Sequence, residues 1–138
     1  KASNLIPIIT ETAIGKRKKL IVYGNDYNTK DGTCIRDYIH ILDLVDAHLK
    51  SLNFINIYSK SLILNCGYGK GYSVLDIVNI FKKMNKKIRI IFTKRRHGDV
   101  SQIYANTKKI KKELKWKPKY NDLEKIIKSA IKWEKRIS

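Results

Sequence analysis

Two arginines, Arg36 and Arg96, are the residues of this chain best suited to hold an anionic ligand. Each stands where an extended stretch is predicted to give way to a loop, and each has an acidic residue close by, Asp37 or Asp99. The planar donor fork of arginine matches a phosphate, so two of them on separate loops could grip a diphosphate from both sides. A carboxylate such as Asp99 could then accept hydrogen bonds from ribose hydroxyls. A pair of local salt bridges satisfies the same spacing, and spacing alone leaves both readings open.

Other candidate chemistry is weaker. Gly67-x-Gly69-x-Gly71 lies between a predicted strand and a predicted helix, the setting of a phosphate-binding turn. A dinucleotide fingerprint requires G-x-G-x-x-G and an acidic residue about 20 residues onward. Here the third glycine comes one residue early, and Lys86 and Lys87 occupy the acidic zone. The loop therefore reads as a tight strand-to-helix turn, not a cofactor loop. His40, His48 and His97 have no Cys or carboxylate at ligand spacing, so no metal site is expected. No Ser, Thr or Cys is marked locally as an activated nucleophile. The chain offers no self-contained catalytic set.

Alternating short strands and helices are predicted to carry these residues. Helical periodicity begins near Asn4, with Ile6, Ile9, Ala13 and Ile14 on one face, and stops at Gly15. Leu20–Tyr23 suits a buried strand, and Gly24 to Thr33 is a polar stretch rich in turn formers. Arg36–His40 reads as extended, and a helix follows over about Asp43–Leu52. Leu62–Asn65 is strand-like and leads into the glycine loop. Ser73 then caps a helix reaching about Met84, with Val74, Ile77, Val78 and Phe81 inward. Ile88–Phe92 is a further strand, followed by the basic loop Lys94–Asp99. Helices over about Thr107–Leu114 and Leu123–Arg136 close the chain, with Asn121 and Glu124 as a capping-box pair for the last. This is an α/β pattern with too little β-structure for a complete doubly wound sheet, which points to part of a larger fold.

Composition bounds the rest. With 138 residues, 43% hydrophobic and 30% charged, the chain suits one small folded unit and excludes collagen, a disulfide scaffold or a wholly disordered tail. No apolar run approaches the roughly 18–20 residues that span a bilayer, and Leu5–Ile9 is too short for a secretory leader. Cys34 and Cys66 are too few for a disulfide framework, so a reducing, cytoplasmic setting is expected. A net charge of +18 suggests nucleic acid at first sight. However, 24 of the 30 basic residues are Lys, beside 22 Ile and 10 Asn, an enrichment that AT-rich coding bias produces whatever the function. Residues 1–81 carry a net +3 and residues 82–138 a net +15, much of it at helix positions expected to face solvent. These include Lys108, Lys109, Lys111, Lys112, Lys125, Lys128 and Lys132. No nucleic-acid module pattern accompanies the charge, so a solvated surface is favoured.

The segment Gly24-Asn25-Asp26-Tyr27, continuing through Asp31-Gly32-Thr33-Cys34-Ile35-Arg36-Asp37-Tyr38-Ile39-His40, closely resembles the UDP-glucose 4-epimerase family. The resemblance extends to Asn4-Leu5-Ile6-Pro7, Asp43-Leu44-x-Asp46-Ala47-His48, Asn65-x-Gly67-x-Gly69-x-Gly71-x-Ser73-Val74, Arg95-Arg96-x-Gly98-Asp99 and Leu114-x-Trp116, in the family's order. It implies an α/β fold, the C-terminal substrate-binding portion of an extended short-chain dehydrogenase/reductase lacking most of the Rossmann domain. On this reading residues 1–138 form one UDP-sugar-binding portion, with NAD bound by an N-terminal domain that is absent. Neither the family's glycine fingerprint nor its Tyr-x-x-x-Lys pair stands where expected. Tyr104-x-x-x-Lys108 fits the letters but follows the Arg96/Asp99 motif, too late for the catalytic pair.

Carried over position by position, the resemblance places Asn4 and Leu5 beside the nucleotide and diphosphate. It sets the Ile21, Val22 and Tyr23 backbone and the Tyr23 ring beside uracil, Arg36 and Arg96 on the diphosphate, and Asp99 on the ribose. Tyr38 would support Arg36, and Ile103 would face the hexose. The implied reaction interconverts UDP-glucose and UDP-galactose through a transient 4-keto sugar, with hydride passing to bound NAD and back to the opposite face. Rotation of the keto sugar requires UDP anchored and the hexose loose, and this chain would supply the anchor. The full-length protein is expected to be a homodimer with no membrane segment. The alternatives are a nucleotide-sugar dehydratase or decarboxylase of the same superfamily, a basic nucleic-acid-binding module, or a truncated product with no activity of its own.

Overall fold

Apolar residues three and four apart, with Pro7 tolerated in the first turn, wind Leu5–Ala13 into helix α1. The computed structural model describes residues 2–84 and 86–137. Strand β1 (Leu20–Tyr23) alternates buried and more exposed side chains and pairs in parallel with β4 (Ile90–Thr93), from Leu20↔Ile90 to Tyr23↔Thr93. A second small sheet is centred on β2 (Ile35–Arg36). It pairs antiparallel with β3 (Tyr72–Ser73) and parallel with β5 (Gln102–Ile103). Helices α2 (Ile41–Tyr58), α3 (Val74–Lys83), α4 (Lys108–Leu114) and α5 (Leu123–Arg136) complete the order.

The core forms where α1, α3 and α5 meet one another and α1 meets β1. Ile9, Leu20, Ile77, Phe81, Ile110, Trp116 and Ile127 are its fully buried side chains of largest size. Burying such a side chain contributes about 1.5–3 kcal/mol each, the term that sets these helices against the strand. Ser73 begins α3 as the sequence predicts, with its hydroxyl accepting from Asp76 N and Asp76 accepting from Ser73 N. The lysines expected to face solvent on α4 and α5 are all exposed.

Four sequence expectations are corrected. The extended stretch Arg36–His40 narrows to the two-residue β2, because Asp37 turns away to bond elsewhere. Helix α2 begins earlier and runs longer than expected, since the His40 ring Nδ1 accepts from Leu42 N and caps it. Helix α5 is capped by Asp122, which accepts from Lys125 N, in place of the Asn121–Glu124 pair. Leu62–Asn65 is not a strand in any sheet of the described residues. Its side chains still alternate in burial, with Ile63 89% exposed, so the segment is extended with nothing beside it to pair. Beside it, α2 leaves Leu42, Val45, Leu49 and Leu52 exposed at helical spacing. Among the described residues nothing covers this apolar row.

Candidate functional site

Parallel pairing of β1 with β4 brings the end of one strand beside the loop that follows the other. Gly24 N donates to Thr93 O at 2.8 Å, so residues 94–99 leave the sheet next to Tyr23. There the Arg96 guanidinium lies over the Tyr23 ring, 3.8 Å from its centroid. Arg95 does the same to Tyr27 at 4.4 Å while donating to Asp26 Oδ1 at 2.8 Å. Consecutive arginines thus stack on two tyrosines, one ending β1 and one in the loop after it, each stack being worth about 0.5–2 kcal/mol. The Arg95 hydrogen bond holds the Asp26 carboxyl below its ordinary range.

Arg36 approaches from β2. Its Nη2 donates to Asp99 Oδ1 at 3.3 Å and its Nη1 to Ile35 O at 2.8 Å. The salt-bridge reading of the sequence is thus half right: Arg36 does pair with an acid, but with one 63 residues away. Asp37 does not pair with Arg36, and Arg96 takes no ion pair among the described residues. Two guanidinium groups around one carboxylate leave the site net positive, as a diphosphate would require.

Leu5, Ile21, Val22, Tyr23, Arg96 and Asp99 line one narrow cleft of about 100 Å³. Asn4 stands at its edge as the N-cap of α1, exposed, with no side-chain capping hydrogen bond. Arg36 and Ile103 are partners across β2 and β5 and line a second, open depression of about 550 Å³. The Arg36–Asp99 contact joins the two spaces. Tyr38 lies apart: it lines a larger, mainly apolar cleft of about 720 Å³ with Ile6, His40 and Trp133. Burial pushes its phenol well above the ordinary tyrosine range, and the hydrogen bonds of Arg36 do not include it.

Two features escaped the sequence reading. The hydroxyl of Tyr27 is buried with no hydrogen-bond partner, and burial, with the Asp99 charge as a lesser cause, pushes its pKa up. The second is the use made of the glycine loop. Asp37 Oδ2 accepts from Tyr68 N at 3.0 Å, Gly69 N at 3.1 Å and Ala105 N at 3.3 Å. The N–H groups that a cofactor phosphate would take are filled by a carboxylate of the chain itself. A Cβ at Gly67 would collide with Asp37 Oδ2 and stand 2.8 Å from Ala105 Cβ, which is why glycine is needed there. No other glycine-rich turn occurs in the sequence, so the described residues do not fit the pyrophosphate of NAD.

This fold is that of the C-terminal portion of an extended short-chain dehydrogenase/reductase. The chain belongs to the family described as GDP-mannose 4,6 dehydratase, whose model matches residues 2–130. It is 46% identical to UDP-glucose 4-epimerase 1 of Oryza sativa subsp. japonica, over 95% of this chain and 38% of that protein. The solved UDP-glucose-4-epimerase of Stenotrophomonas maltophila, with bound NAD and formylated UDP-arabinopyranose, superposes with TM-score 0.93 at 35% identity. That match covers 99% of this chain and 40% of the other. The UDP-Glc/GlcNAc 4-epimerase of Campylobacter jejuni superposes with TM-score 0.87 at 44% identity, covering 99% of this chain and 41% of that one. The chain therefore spans about two-fifths of the length of these relatives.

Proposed function

We propose that this chain is the UDP-sugar anchor of a UDP-glucose 4-epimerase, with the hydride carrier held by a part of the protein outside residues 1–138. The observation that carries the reading is the convergence of Tyr23, the Arg96–Asp99 loop and Arg36, from three separate stretches of chain, with Tyr23, Arg96 and Asp99 lining one cleft and Arg36 reaching it through Asp99. In it the uracil lies along the Ile21–Tyr23 strand end and against the Tyr23 ring, and Asn4 and Leu5 close the other side. Arg36 and Arg96 turn from their present partners to the diphosphate, and Asp99, released from Arg36, accepts from the ribose hydroxyls. The hexose then extends toward Ile103 into the open depression of about 550 Å³, where it is not enclosed. A tight grip on UDP and a loose one on the sugar is the division that an epimerase needs, because the keto sugar must present both faces.

When bound, NAD would supply the hydride acceptor and donor, and the present residues take no part in that step. Calorimetry of the chain with UDP, inorganic pyrophosphate and duplex DNA tests the reading. UDP is expected to bind more tightly than pyrophosphate. Binding that ignores the uridine, favours the duplex and falls steeply with salt would assign the site to a nucleic-acid backbone instead.

A further inference from the structure

We propose that Asp37 is a positioning residue for the hexose end of this site: seated in the glycine nest, its carboxylate sets where Ile103 stands relative to Arg36. The inference rests on the UDP-sugar reading above and adds a residue that takes no part in holding UDP. Strand β5 is only two residues long, and its parallel pairing to β2 consists of Ile35↔Gln102 and Arg36↔Ile103. So short a ladder cannot fix the segment by itself. The Ile103 side chain is 57% exposed, so packing does not fix it either. Its place depends on how the backbone is held at each end of β5. Upstream, Ile35 N donates to Ser101 O at 2.9 Å. Downstream, the hold is Ala105 N on Asp37 Oδ2 at 3.3 Å.

The same carboxylate is bound by Tyr68 N and Gly69 N, so the segment that carries Ile103 is referred through Asp37 to the glycine loop. Asp37 directly follows Arg36 on the chain, so one short stretch sets both the diphosphate ligand and the wall that the sugar meets. Hydrogen bonds to an ionised acceptor are stronger than neutral ones, which is why a carboxylate suits the task. Gly67 supplies a second lever, because a Cβ there collides with the carboxylate without altering its charge and crowds Ala105, the residue that the carboxylate holds.

The test is methyl NMR of the isoleucine-labelled chain with UDP and with UDP-glucose. Ile21, in the uracil strand, reports UDP; the difference between the two ligands at Ile103 reports the hexose. In the wild type, Ile21 is expected to shift with either ligand and Ile103 to shift further with UDP-glucose. Asp37→Ala and Gly67→Ala are expected to abolish the hexose-dependent shift at Ile103 and leave the Ile21 response intact. Asp37→Asn, which keeps one acceptor oxygen, should fall between. Persistence of the full Ile103 shift in both alanine variants overturns the inference. So does loss of the Ile21 response in those variants, since Asp37 would then serve folding at large. An Ile103 methyl blind to the hexose in the wild type overturns it while the UDP reading stands. An Ile21 methyl blind to UDP in the wild type rejects the UDP-sugar reading itself, and this inference with it.

Discussion

Any diphosphate entering the cleft competes with contacts that Arg36 and Arg96 already make, with Asp99 and with the Tyr23 ring. Those contacts are partly exposed and therefore weak, whereas a phosphate offers charge-assisted bonds to the same donors. Arg36→Ala and Arg96→Ala are each expected to weaken UDP binding by about 1.5–3 kcal/mol, and Arg→Lys also, because the fork is lost. Calorimetry reads this directly; wild-type affinity in both alanine variants would leave the arginines as surface partners. Ile103→Ser belongs to the same scale. The exposed side chain supports no packing, so stability should change by less than about 0.5 kcal/mol. Any shift between UDP-glucose and its N-acetyl analogue should be modest, about 1–3 kcal/mol in favour of the analogue. Comparing both ligands on wild type and variant checks it, and an unchanged ratio sets Ile103 away from the sugar. Asp43 was the residue least legible in advance. Its buried carboxylate accepts from Tyr68 Oη at 2.6 Å and from Lys119 N and Tyr120 N at 2.8 Å, the last of these 77 residues away. Sequence spacing carries no trace of such partners. Asp43→Ala strands all three donors and should cost about 3–5 kcal/mol in urea unfolding, a loss that a surface residue would not show.

Elements whose signals are local were readable, and those that depend on distant partners were not. Ser73 and the apolar spacing behind it specify α3 within one turn, and the structure keeps that start. Leu62–Asn65 has the composition of a strand, but pairing requires a neighbour, and none stands beside it among the described residues. The polar loop between β1 and β2 is an intermediate case. Its turn formers were plain, yet its attachment to α3 was not: Asp31 accepts from the Ser73 hydroxyl, Thr33 N and Thr33 Oγ1. Burial pushes the Asp31 carboxyl up, but these donors outweigh it and hold the pKa below the ordinary value of 3.8. A carboxyl depressed on folding adds stability above its unfolded pKa, and that stability is lost as pH falls through the folded value. The loop attachment should therefore weaken below about pH 4. Melting temperature against pH should fall more steeply there in the wild type than in Asp31→Asn, which is less stable at neutral pH and has no such proton to take up. Parallel curves would mean that the loop is held by other contacts.

For the molecule as a whole, chemistry and uncovered surface point the same way. The exposed row on α2 and the exposed Ile63 of the unpaired Leu62–Asn65 are apolar surface of kinds that folded domains normally cover. The relatives are about two and a half times as long as this chain. The groups that would move hydride and proton are not found among the described residues. The single glycine-rich turn is filled by Asp37, and Tyr104, the only tyrosine four residues ahead of a lysine in the closing third, is an exposed edge residue whose hydroxyl accepts from Gln102 Nε2 at 3.2 Å. Anchoring a substrate without a hydride acceptor lowers no barrier, since binding energy accelerates a step only where it acts on the reacting atoms. The 138-residue chain, supplied with UDP-galactose and NAD⁺, is accordingly expected to bind UDP and to form no UDP-glucose. A coupled assay for UDP-glucose, run beside UDP calorimetry on one preparation, separates the outcomes. Binding without turnover is the expected result; turnover above background would mean that a proton-transfer group and a dinucleotide site exist within these residues after all.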